Sequence, residues 1–291
     1  MSMRLLRALR EQGVDARMLV MHKEGDSPYV EKAGPEWLRK ACFLDERLRI
    51  FAANGFSKKR LFQASIANCG LPLSKHPLVI EADAVVLAWV NQGMISLSEI
   101  SKIEAPTAWV MHDMWCLTGV CHHAGECRKY AGVCSACPVL GSHASKDLST
   151  TTQRRKASLY GKKKITFVAV SNWLAEKSRE SSLLSNQSVR VIPNVFHIKD
   201  FHIGKKHGNT VVMGAARLDD PIKRLDLAID ALNLVPGIKV KLFGGLRDER
   251  ILDRLKAEKE WLGPISDQSK IAEVYSGADI VLSSSMYETL P

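Results

Sequence analysis

Apolar residues in the opening stretch MRLLRALREQGV fall at Met3, Leu6 and Leu9 with charges between them, the spacing of an amphipathic helix that ends near Gly13. DARMLVMH then reads as a short strand. From Trp37 to Phe62 the chain is basic and aromatic, and its period is ambiguous. Regular patterning returns with ADAVVLAWV, a short buried strand, and with SLSEISKI, a helix that takes Ser96 as N-cap and Glu99 as capping-box partner. PTAWVMHD is another buried strand, and a strand, helix, strand succession implies a parallel pair. Further on, ITFVAVS reads as a strand, NWLAEKSRESSLL as a helix capped by Ser171 or Asn172, and VRVIPNVF as a strand closed by Pro193.

HIKDFHIGKKHGN, His197 to Asn209, is polar, contains glycine and has no period, which marks a domain boundary. A second alternating series follows. TVVMGAARL, KVKLFGG, KEWLGPI and DIVLSSS read as strands, and RLDLAIDALNL, DERILDRLKAE and SDQSKIAEVYSGA as the helices between them. Two such series imply an α/β protein of two doubly wound domains, residues 1–204 and 205–291, facing each other across a cleft. The first element is a helix where such a domain normally opens on a strand, and the last strand is followed only by YETLP. The expectation is a chain that lacks its first strand and its C-terminal part, and that is inactive by itself.

Composition changes this picture modestly. The 291 residues are 46% hydrophobic, enough for real cores. Lys and Arg number 41 against 31 Asp and Glu, a formal net charge of +10 that favours anionic partners. No apolar run reaches the length of a membrane span, and the first twenty residues carry scattered charges rather than a signal pattern. The expected location is the cytoplasm, where cysteines stay reduced.

Candidate chemistry gathers at strand ends. GAARLDDPIK sets Arg217 and Lys223 six positions apart, so that a planar fork and a mobile point charge could reach one pyrophosphate, or could simply be solvated. LFGG ends a strand on Gly244 and Gly245, which would admit a phosphate or ring, or make a plain turn. SSSMYETLP places Glu288 just past a strand, where ligands are met in such sheets, although taken singly a surface glutamate is the plainer account. HDMWCLTGVCHHAGECRKYAGVCSAC holds five of the seven cysteines and three of the nine histidines. Cys121, Cys127, Cys134 and Cys137 end in a C-x-x-C, half of a tetrahedral zinc site, with His122 and His123 as alternative ligands. Structural zinc, buried thiols and redox chemistry all remain open for them. Cys116, after Trp115, suits apolar packing.

Together these stretches resemble the family-4 retaining glycosyltransferases of GT-B architecture, in which two Rossmann-like domains hold a nucleotide sugar. VAVSNWL looks like the end of that family's first domain, VIPNV like its connector, GAARLDDPIK like its diphosphate-binding Arg and Lys, and ADIVLSSSMYETLP like the approach to its E-x7-E signature. WVMHDMWCLTGVCHHAGECRKYAGVCSACP is similar to a segment of bacterial capsule and colanic-acid-like exopolysaccharide glycosyltransferases, with the Cys-rich loop at 116–137. The resemblance implies that His112 is the active-site histidine, Asp113 its neighbour in the acceptor-side loop, and Glu288 a contact of the donor sugar. It implies a nucleoside diphosphate sugar as donor, a glycan or lipid-linked acceptor, and no cofactor for catalysis. Where relatives carry HLHW this chain has VLAW, so Val86 and Ala88 stand in place of histidines, while Asn91, Gln92 and Gly93 of WVNQG still match.

Basic segments at Ser57 to Arg60 and Arg154 to Lys164 could lie on an anionic membrane at its inner face, each cation contributing about 1 kcal/mol. A solvated face is the plainer account. Two other functions compete with transfer. A non-catalytic nucleotide-sugar binder fits the absent histidines, and a zinc-dependent nucleic-acid module fits charge plus C-x-x-C but leaves the α/β alternation without a role, so no nucleic-acid partner is expected.

Overall fold

Burial is deepest in the strands at the centre of each sheet. The computed structural model describes residues 2–194, 196, 199, 201–204 and 208–289. Two units emerge, one of residues 1–195 with 289–291 and one of residues 196–288. The linker expected over 197–209 lies partly outside the described residues.

In the first unit α1 (Ser2–Glu11) leads to β1 (Met18–Val20), which pairs in parallel with β2 (Val30–Lys32). Next comes α2 (Glu36–Ala53), through the stretch whose period was ambiguous. Its buried positions explain the ambiguity, because Arg39, Glu46 and Arg47 share the inward side with Cys42 and Ile50. A hydrophobicity pattern cannot register a helix that buries charges. Two of these charges pair: Glu46 bonds Arg47 at 2.8 Å and accepts the N–H groups of Ile66 and Ala67 at 2.7 and 2.8 Å, while Arg39 donates to the Met21 carbonyl.

After α3 (Pro77–Ile80) the main sheet begins: β3 (Val85–Ala88), α4 (Leu97–Ile100), β4 (Thr107–Met111), α5 (Leu148–Lys162), β5 (Ile165–Ala169), α6 (Asn172–Glu180) and β6 (Ser188–Val191). The four strands lie side by side in chain order, all parallel. Ser96 caps α4 and Ser171 caps α6. The capping box expected at Glu99 does not close, since the Glu99 carboxylate turns to Ser74 and Lys102 instead. Trp109 of β4 stacks between Trp115, Tyr160 and Phe167, with ring centroids 5.8 to 6.4 Å apart, and anchors the core.

The second unit runs β7 (Thr210–Arg217), α7 (Leu225–Leu232), β8 (Lys239–Gly245), β9 (Glu258–Trp261), α8 (Gln268–Ser276) and β10 (Ile280–Val281). DERILDRLKAE makes only a 3-10 stretch, Glu249–Arg254, because β9 starts already at Glu258, and the expected strand at DIVLSSS shortens to two residues. The spatial order β10-β7-β8-β9 is wholly parallel. From β7 the chain builds outward through β8 and β9, then returns to the other side of β7. The order therefore reverses between β7 and β10, which creates a topological switch point at the carboxyl ends of those two strands. Among the described residues no helix is long and apolar enough to cross a membrane.

Candidate functional site

The first unit gathers polar groups where β3 and β4 end. Trp89, Asn91, His112, Asp113 and Trp115 line one small concavity there. The turn after β3 is conformationally costly: Trp89 and Gln92 both take positive φ, 47° and 58°, which a side chain rarely adopts without tertiary support. His112 is half-buried, and burial pulls its ring below the usual imidazole range. A neutral ring can accept a hydrogen bond from a hydroxyl.

Asp113 is engaged on both oxygens. Its Oδ1 accepts the Trp115 N–H at 2.8 Å, and its Oδ2 receives the Trp89 indole at 3.1 Å and stands 2.6 Å from His122 Nδ1. The other imidazole nitrogen is 3.1 Å from the Ser65 hydroxyl. Segment 63–65 runs beside this loop, with Ala64 bridged to Cys121 and the Ser65 N–H donating to Val120. With three donors and 9% exposure, Asp113 suits the anchoring of the His112 loop better than proton transfer. His122, weighed above as a metal ligand, is committed to this network, and nothing in the spacing of Ser65, Trp89 and His122 announces it.

Burial works against the Asp113 charge, yet His122 and the Trp115 N–H outweigh it and hold the carboxyl below its ordinary range. A depressed carboxyl contributes stability above its unfolded pKa and loses it as pH falls through the folded one. Acidification below about pH 4 should therefore destabilise the wild-type loop. Asp113→Asn should cost about 1–3 kcal/mol at neutral pH and flatten that acid limb, as urea midpoints measured across pH would show.

The Cys-rich loop is tied to α5 rather than self-supporting. Asp147 caps α5 and accepts the Cys137 N–H at 2.9 Å, the Thr150 hydroxyl donates to the Cys134 carbonyl at 2.8 Å, and Gln153 accepts the Cys134 N–H at 2.7 Å. One turn further, Lys156 is fully buried and donates to the carbonyls of Trp115, Thr118 and Gly119. Cys121, Cys127, Cys134 and Cys137 line a single cavity. Burial pushes the Cys121 thiol up to about 12 and raises Cys134 and Cys137 as well. Among the described residues no group of three or more His, Cys, Asp or Glu is arranged to hold a metal ion as it stands.

Half of the six cations in the basic segment Arg154 to Lys164 turn away from solvent. Lys156 is buried, Arg155 donates to the carbonyls of Ile66 and Ala67, and Lys163 donates to that of Ile103. Only Arg154, Lys162 and Lys164 of its cations are exposed. Alternating charge and aliphatic residues cannot tell a cation that serves loop carbonyls from one that serves solvent.

In the second unit the candidate residues form two separate groups at the carboxyl ends of the strands. Arg217 ends β7 and pairs in register with Gly245, which ends β8. Lys223 and Glu288 join in a 2.5 Å ion pair, partly buried on both sides. The segment after β10 is fastened to the Lys223 turn by the Ser284 hydroxyl, which donates to the Lys223 carbonyl at 2.6 Å, and by the Met286 N–H, which donates to Ile222. Sequence reasoning missed Asp219, whose carboxylate receives the Arg217 fork at 2.8 and 3.2 Å. Burial opposes the Asp219 charge, but Arg217 and the Arg247 N–H hold its pKa down. Both candidate cations are thus paired with acids.

Gly244 is explained by packing rather than by a ligand. Its φ is +129°, and a Cβ there would sit 1.9 Å from the Ala215 carbonyl oxygen. Its N–H goes to Gly263 and its carbonyl to the Trp261 indole, so neither faces a phosphate. The Gly245 carbonyl likewise accepts from the Leu218 N–H.

No protein-family model matches the chain, and no curated protein does. Similar solved structures exist. A UDP complex of S. aureus TarM is 13% identical with a TM-score of 0.43, over 71% of this chain and 38% of that one. Anabaena HepE with UDP is 17% identical with a TM-score of 0.46, over 75% and 57%, and with UDP-glucose 15% identical at 0.45, over 93% and 74%. The chain thus spans about 38% and 57% of the first two. At these scores the likeness carries no functional weight, and the α/β assignment stands on the chain's own parallel sheets.

Proposed function

We propose that the chain is a retaining glycosyltransferase of GT-B type, with the second unit binding a nucleoside diphosphate sugar. In this reading the acceptor is a hydroxyl of a glycan or lipid-linked oligosaccharide in cell-surface polysaccharide assembly, as the family-4 resemblance implies. The observation that carries it is the placement of Arg217 and the Lys223–Glu288 pair beside the switch point of a parallel sheet, where such folds take their ligands.

The proposed chemistry is electrostatic. As the glycosidic bond breaks, negative charge grows on the diphosphate, and cations fixed beforehand stabilise that state more than the ground state. Diphosphate oxygens replace Asp219 on the Arg217 fork and compete with Glu288 for Lys223. Glu288, released, accepts hydrogen bonds from donor-sugar hydroxyls. On the first unit, His112, its pKa held down by burial, can accept a hydrogen bond from a sugar hydroxyl, and no metal takes part. Calorimetric titration with UDP-glucose, alongside assays of donor hydrolysis and transfer, tests this reading. Absence of nucleotide binding would remove it, and binding without turnover would favour a non-catalytic nucleotide-sugar binder instead.

We further propose that Cys121, Cys127, Cys134 and Cys137 hold a structural zinc that orders their loop. The shared cavity and the closing C-x-x-C support this, although the thiols must draw together to ligate. Purified protein should then carry about one zinc per chain, lost with Cys134→Ser, by elemental analysis; a metal-free and equally stable chain would refute it. Peripheral contact with an anionic membrane, in the same proposal, falls to the exposed Lys58, Lys59, Arg154, Lys162 and Lys164. Sedimentation with anionic vesicles at low and high salt measures it.

A further inference from the structure

Two cysteines outside every site described above face each other. Cys42 lies on α2, and Cys69 lies in the segment that leads into Leu71. Both are free thiols, and their sulfurs are 3.1 Å apart, about one ångström beyond the roughly 2.05 Å of a disulfide bond. The contact is held from both sides. Toward the C-terminus of α2, Asp45 accepts from the Asn68 amide at 2.7 Å, and Glu46 takes the N–H groups of Ile66 and Ala67. Beyond Cys69, the Leu71 N–H donates to Met94 at 2.9 Å, and a Cβ on Gly70 would lie 2.4 Å from the Ser96 nitrogen, so the backbone is pinned there as well. Positioning of this kind makes a reaction between the two side chains effectively unimolecular.

We propose that Cys42 and Cys69 are an oxidisable dithiol, a modification site for hydroperoxides that closes as a disulfide between α2 and the 66–71 segment.

The two sulfurs differ in access. Cys42 is 2% exposed while Cys69 is half-buried, so solvent reaches Cys69 first. Burial, followed by the neighbouring Cys69, pushes the Cys42 thiol up to about 12, which keeps it protonated until a partner appears. In the first step the Cys69 thiolate attacks one oxygen of the hydroperoxide. The S–O bond forms, the O–O bond breaks, and the alcohol or water departs with the thiol proton. In the second, the Cys42 sulfur attacks the Cys69 sulfenic acid. The S–S bond forms, the S–O bond breaks, and water leaves with the Cys42 proton. Two thiols and one hydroperoxide thus give one disulfide, one alcohol or water, and one further water, the sulfurs supplying both electrons that reduce the O–O bond. The site is independent of the transfer reading.

The test uses the folded chain treated with graded hydrogen peroxide, alkylated, digested without reduction and mapped by mass spectrometry. The expected product is a Cys42–Cys69 linked peptide pair that forms at lower dose than any change at the other five cysteines and disappears with dithiothreitol. In Cys42→Ser, dimedone should trap the Cys69 sulfenic acid at roughly ten times the wild-type yield, because the resolving thiol is gone. Cys69→Ser should leave Cys42 unmodified at the same dose. A wild-type chain in which Cys69 goes on to sulfinic acid with Cys42 free, or in which Cys127 reacts before any 42–69 link appears, overturns the proposal.

Discussion

Arg217→Ala is expected to lower turnover by about 10²–10³-fold, a barrier increase of about 3–4 kcal/mol, the range seen when one fixed donor to a developing oxyanion is removed. The guanidinium ends β7 beside the switch point and already holds its fork in a bidentate grip on Asp219, the geometry a diphosphate would take over. Lys223→Ala should act similarly, since its ammonium is the other cation of that edge. Arg217→Lys should rescue little, because a point charge cannot reproduce the fork. Asp219→Asn should move the other way and tighten nucleotide binding by releasing the guanidinium from its internal partner. Single-turnover rates with UDP-glucose and nucleotide affinities of the four variants read these effects. Unchanged rates in both alanine variants would remove the electrostatic assignment, while loss of affinity without loss of rate would reduce Arg217 to ground-state binding.

Lys156→Met should cost the first unit about 2–5 kcal/mol, since each buried carbonyl that loses its donor costs about 1–3 kcal/mol. Methionine nearly fills the space but leaves the carbonyls of Thr118 and Gly119 buried without a donor and takes the ammonium from that of Trp115, which keeps only long contacts from Thr118. It also removes an ammonium 3.5 Å from the Trp115 ring centroid. Burial pulls Lys156 down to about 7, whereas three carbonyl acceptors call for the three protons of an ammonium. We take the charged form as the one the loop is built around at neutral pH. A fall of roughly 10 °C in the melting transition of the first unit is the expected reading. A shift of a degree or two would mean that water replaces the ammonium among those carbonyls.

Neither the loop nor the helix half of that contact is visible in the sequence, where Leu148–Lys162 reads only as a polar, basic stretch. In α5 the residues Asp147, Thr150, Gln153 and Lys156 recur every three positions and are all polar, so they read as a solvent face. They are instead one inward row that holds the Cys-rich loop. In α2 the inward Arg39, Glu46 and Arg47 erase the apolar period in the same way. A buried polar residue is recognisable only by its partner, and for Glu46 that partner, the N–H of Ile66, lies twenty residues away.

The strands were legible for the opposite reason. Hydrophobic pattern reports burial directly, and β3, β4, β5, β7 and β8 bury apolar side chains in their cores, so the α/β series, Ser96 as a cap and the choice of Ser171 or Asn172 as another followed from neighbouring residues alone. Arg217, Lys223 and Glu288 could be singled out as charges past strand ends. The contact of Glu288 with Lys223 depends on β10 returning beside β7, a strand order set by long-range packing that no local pattern encodes. Tertiary structure alone likewise decided that Asp113 is spent on His122, Trp89 and Trp115, and that Cys42 and Cys69 touch. Local sequence fixes what a segment prefers by itself, whereas hydrogen bonds and charge pairs between distant segments are chosen by the packed chain.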